Sequence, residues 1–127
     1  MRPFFALAFA ASLLLLPTMA LPAQSLRETM RGWRVHTRSL AGMASNHARF
    51  SEVAARADLQ ALATAASELQ AQLNASTADA RDFKARFVAL AASARALTPA
   101  SSNFPAFRAQ VAEIQSSCAA CHDKYNN

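Results

Sequence analysis

The chain has 127 residues, 53% of them hydrophobic, with two cysteines and a formal charge of +5 at pH 7. That length suits one domain rather than two. Nucleic-acid binding is not expected, because Arg27, Arg31, Arg34, Arg38, Arg49 and Arg56 fall singly on what should be solvated helix faces; the mild basicity favours acidic protein partners weakly instead.

The first residues, "MRPFFALAFAASLLLLPTMALPAQ", combine Arg2, a predominantly apolar stretch from Phe4 to Leu16, a breaking Pro17 and small residues at Ala20 and Ala23. These are the parts of a secretory signal peptide, with cleavage after Ala20 or Ala23. The stretch is shorter than the roughly 20 apolar residues that cross a bilayer, and no second one follows. The expected organisation is a leader over residues 1–23 and one exported, non-membrane-spanning domain over residues 24–127, in the periplasm.

Beyond the leader there are only Gly32 and Gly42, few β-branched residues, and apolar positions at steps of three and four, an all-α pattern. Ser25 and Glu28 have capping-box spacing, and Leu26, Met30, Trp33, Thr37, Leu40 and Ala44 form the stripe of a helix running to about Ser45. Ser51 caps a second helix, with Val53, Ala54, Ala57, Ala61, Leu62, Ala65, Leu69 and Leu73 on its stripe. Thr77 caps a third that buries Phe83, Phe87, Leu90, Ala94 and Leu97 before Pro99 and Pro105 interrupt the chain. Pro105 suits the first turn of a fourth, whose stripe is Phe107, Val111, Ile114, Cys118 and Cys121. Connections this short make neighbouring helices antiparallel, so the predicted architecture is an up-down-up-down four-helix bundle.

The last helix ends in "SSCAACHDKYNN". Cys118-Ala119-Ala120-Cys121-His122 is a C-x-x-C-H sequence, the attachment site of c-type haem. Two thiols three apart on a helix share a face and can each add to one haem vinyl group, while His122 can offer an imidazole nitrogen to iron. A disulfide is the plainer reading of two cysteines in an exported protein, but so small a loop gains little from a bridge. Thiol exchange would require a βαβ context that this sequence lacks, and zinc would require further ligands at suitable spacing.

A chain of this size, with a bundle pattern and C-x-x-C-H at its C-terminus followed by "DKY", resembles the class II c-type cytochromes, the family of cytochrome c′ and the low-spin cytochrome c556 type. The resemblance covers Leu26 to Tyr125. It implies one covalent haem c, thioether links at Cys118 and Cys121, His122 as an axial iron ligand, redox partner proteins, and no enzymatic activity. A homodimer through the first two helices, as relatives form, stays open. Relatives commonly carry a basic residue shortly after the aromatic that follows the motif; Asn126 stands there instead, which weakens a gas-binding role.

The sixth iron position divides the function, since methionine there gives a low-spin electron carrier and an apolar residue leaves the iron open to gases such as NO or CO. In the predicted topology the end of helix four lies beside the start of helix one, which places Met30 opposite His122. Met43 lies about 20 Å further along the axis and His36 about 9 Å, while His47 is more distant still. The stretch "ETMRGWRVHTRSLAGM" resembles the first helix of the c556 type, with Met30 at the position of that group's methionine ligand. Met30 as a core filler remains the alternative. Trp33, Leu62, Leu69, Phe83 and Phe87 are expected to wall the haem, although ordinary core packing explains each equally well.

Overall fold

A computed structural model describes residues 23–125, with side chains from Leu26 onward. The cleavage point after Ala20, the rest of the leader before Ala23, and Asn126 lie outside the described residues. Four helices form: α1 (Ala23–Ser45), α2 (Glu52–Gln72), α3 (Ala78–Arg95) and α4 (Phe104–Tyr125). Among the described residues there is no strand. Each helix packs against the next and α4 closes against α1, so the bundle is antiparallel with the order α1, α2, α3, α4 round its axis.

Local chemistry sets the boundaries. Ser51 Oγ accepts from Ala54 N (3.3 Å) and Thr77 Oγ1 from Ala80 N (3.1 Å), each satisfying an amide that has no partner inside its own helix. Pro105 occupies the first turn of α4, where a missing N–H costs nothing. Helix α1 starts at Ala23, so Ser25 falls within its first turn rather than before it. Helix ends shift by a residue or two between descriptions, and the stripe that follows is unaffected.

The core is Trp33, Leu40 and Met43 from α1, Leu59, Leu62 and Leu69 from α2, Phe87 and Leu90 from α3, and Phe107, Val111 and Ile114 from α4. The α2 stripe is corrected at its N-terminal end. Val53 is 80% exposed and Ala57 is exposed, while Ala55, Leu59, Ala63 and Ala66 face inward. Alanines occupy every face of this helix, so its apolar period has no sharp phase until the leucines fix it.

Two aromatic clusters brace the bundle ends. At the far end from the cysteines, Phe50 meets Phe107 (5.0 Å between centroids) and Phe104 (5.5 Å), with His47 against Phe104 (4.5 Å). At the cysteine end, Trp33 meets Phe87 edge-on (5.6 Å), Phe87 meets Phe83 (4.9 Å), and Phe83 meets Tyr125 (5.0 Å). Rings in these offset and T-shaped arrangements add about 0.5–1.5 kcal/mol per pair beyond their area. The second cluster forms a continuous wall from the core to the last turn of α4.

Candidate functional site

The last two turns of α4 place Cys121 in the core and Cys118 half-buried, while His122, one residue on, is exposed at the bundle's edge. Both cysteines are free thiols. Burial raises the pKa of each above the ordinary thiol value; a charge on Cys121 would raise Cys118 further, and the Arg86 guanidinium opposes part of the rise at Cys121. They are therefore protonated at neutral pH. A protonated pair is poorly suited to metal binding or thiol exchange, both of which use thiolates.

Two cavities adjoin the motif and share Met30, Trp33, Cys118 and His122. The inner one, about 30 Å³, lies against Arg86, Phe87, Leu90, Ser117 and Cys121. The outer one, about 330 Å³, opens between α1 and α4 beside Arg34, Thr37, Arg38, Ala41 and Gln115. Met30 and His122 thus approach one space from two facing helices. Met43 is a core residue and lines neither of these two cavities. His36 is turned toward α2, where Nδ1 donates to Asp58 Oδ1 (2.7 Å). His47 belongs to the far-end cluster.

Of the expected wall, Trp33 and Phe87 line the space, whereas Leu62 and Leu69 lie within the core and Phe83 stands behind Phe87, against Tyr125. Leu90 and Arg86 take the places that sequence reasoning gave to Leu69 and Phe83. Arg86 belongs to a polar cluster with few signs in the sequence. Asp82 accepts from Arg86 Nε (2.9 Å), from Lys124 Nζ (3.1 Å) and from the Tyr125 hydroxyl, joining the start of α3 to the end of α4. Those bonds, the one from Tyr125 foremost, hold the Asp82 carboxyl well below the usual carboxylate range. The guanidinium of Arg86 and the ammonium of Lys124 both lie over the Tyr125 ring. An Asp four residues before an Arg was the available sign of the first contact; the bonds to Lys124 and Tyr125 cross between helices and leave no local pattern.

The residues present fit a haem. Both thiols, the His122 imidazole and the Met30 thioether line this space, and imidazole and thioether are ligand types used for haem iron. Its wall is mainly apolar, yet Trp33 Nε1 is buried without a hydrogen-bond partner. A buried donor left unpaired costs about 1–3 kcal/mol. Among the described residues no group of three or more His, Cys, Asp or Glu could hold a metal ion by itself, and no helix is long and apolar enough to cross a membrane.

Comparison with known proteins agrees with the motif. A family model described as Cytochrome C' matches residues 23–126, the whole of the bundle. No curated protein and no solved structure matches the chain.

Proposed function

The chain belongs to the cytochrome c′ family, and we propose that it is an exported, periplasmic monohaem carrier of single electrons rather than an enzyme, its iron held between His122 and Met30. Membership of the family implies haem c bound through thioether links. The observation that carries the finer reading is that Met30 and His122 line the same space from facing helices, beside both cysteine sulfurs. Bound there, haem supplies a one-electron ferric/ferrous couple.

The chain's own groups do the rest. Cys118 and Cys121 would each hold the haem through one thioether link. His122 offers imidazole nitrogen from the α4 side. Met30 would offer thioether sulfur, a soft ligand that would favour the ferrous state and raise the potential. Trp33, Phe87 and Leu90 keep water from the inner side of the site. Asp82, Arg86 and Lys124 tie α3 to the turn of α4 that carries His122, so the imidazole is presented from a braced helix end.

Acidified-acetone extraction and intact mass test this reading. The colour should stay with the protein, and the mature chain should be heavier by one haem. Colour passing into the organic phase, or a mass without that increment, would overturn it.

A further inference from the structure

Helix α1 carries Arg27, Arg31, Arg34 and Arg38 at steps of four, three and four, which puts all four on one face. All are exposed, and among the described residues none is in an ion pair. The row is roughly 16 Å long at 1.5 Å per residue. It borders the outer cavity, where Arg34 and Arg38 form part of the wall. That cavity shares Ala41 and Gln115 with a further one of about 240 Å³, lined also by Ala44, Ser45, Arg108, Val111 and Ala112. The two adjoin between α1 and α4, with three arginines and no carboxylate among the described residues that line them. Glu113 on α4 turns to α3 and accepts from Ser93 Oγ (3.0 Å).

We propose that the exposed arginine row of α1, which borders the cavity that would take the haem, together with the adjoining Arg108 cavity, docks the redox partner through an acidic protein surface, bringing it against the side of the bundle where the Cys118–His122 site opens. The proposal rests on the electron-carrier reading. Unpaired arginines beside a cleft raise the local potential and the encounter rate with an oppositely charged surface. A protein partner is favoured over a membrane because an interfacial helix needs an apolar face beside its basic one, and Val35 is the sole large apolar side chain exposed on α1 among the described residues.

The test uses haem-loaded protein and a fluorescein-labelled oligoglutamate peptide, followed by anisotropy at low and high salt. Binding should be present at low salt and lost as the Debye length shrinks from about 10 Å at 0.1 M to about 3 Å at 1 M. Arg34→Glu/Arg38→Glu should weaken it about tenfold or more, and the milder Arg34→Gln/Arg38→Gln should weaken it less. The control pair Arg49→Glu/Arg81→Glu, with the same change in net charge, should bind as the parent does.

Equal losses in the control pair would mean that net charge alone acts, and would overturn the proposal. So would arginine-dependent capture by phosphatidylglycerol vesicles without peptide binding, which would make the face a membrane site. Variants that shift the haem potential yet bind peptide normally would assign the arginines to the cofactor and overturn it too. Peptide binding does not require electron transfer, so failure here is distinct from failure of the carrier reading.

Discussion

Trp33→Ala removes the side chain that separates core from cleft, and its cost follows from burial. The indole is 7% exposed, lines both cavities and meets Phe87 edge-on at 5.6 Å. A buried tryptophan hides about 150–250 Å², which at ~25 cal/mol/Å² gives roughly 4–6 kcal/mol as an upper figure. Truncation of large buried aromatics costs about 3–5 kcal/mol, and that is the loss expected. Domains of this size hold about 5–15 kcal/mol in total, so the variant keeps a thin margin. Trp33→Phe retains a ring against Phe87 and deletes the unpaired N–H, whose penalty of about 1–3 kcal/mol offsets much of the lost area; it should lose less than about 2 kcal/mol. Urea unfolding of the haem-loaded proteins, followed by helical circular dichroism, measures both. Trp33 is the sole tryptophan, so in the parent its emission, quenched by nearby haem, should recover along the same curve. An alanine variant within about 1 kcal/mol of the parent would refute the assignment of the indole as a structural wall.

Three further outcomes are expected. Asp82, with its folded pKa depressed, contributes stability that is complete above the ordinary carboxylate range near pH 4 and is lost as the pH falls through and below it; an acid titration by circular dichroism should therefore show the Asp82→Asn deficit shrinking in acid, and a deficit unchanged down to about pH 2 would contradict the cluster's role. Gln110, buried, donates from Nε2 to Ser93 O (2.9 Å) and Ala94 O (3.3 Å) at the end of α3, so Gln110→Glu should cost about 3 kcal/mol or more near neutral pH by setting a buried carboxylate against carbonyls, and recover partly in acid, as read by thermal melting. Cys118→Ala and Cys121→Ala should each leave a haem attached by one link and lower the yield of folded coloured protein; full yield from either would count against its thioether role.

Much of the bundle is legible because its signals are local. Ser51 and Thr77 each cap the next turn, Pro105 fits one place in a helix, and the step of four and three from Phe107 to Cys121 phases α4 by itself. Helix α2 was harder to phase, since alanines surround it and Val53 lies on the solvent side. The motif is written in one pentapeptide, and Met30 follows from which helix ends are neighbours. Arg86, Leu90 and the contacts of Asp82 with Lys124 and Tyr125 were not legible, because they depend on the rotation of α3 about its own axis against α4. The arginine row shows the same limit: its members look isolated along the chain and become a surface once α4 packs beside them.

The measurement nearest the central claim is the optical spectrum of the haem-loaded protein in both oxidation states, taken beside Met30→Leu. The account predicts a low-spin parent that resists carbon monoxide and shows the weak near-infrared band of methionine coordinated to ferric iron. Met30→Leu should then be high-spin when ferrous, bind carbon monoxide readily, lose that band and fall in potential. A parent that is already five-coordinate and takes up carbon monoxide at once would contradict ligation by Met30 and would make the protein a gas-binding member of its family.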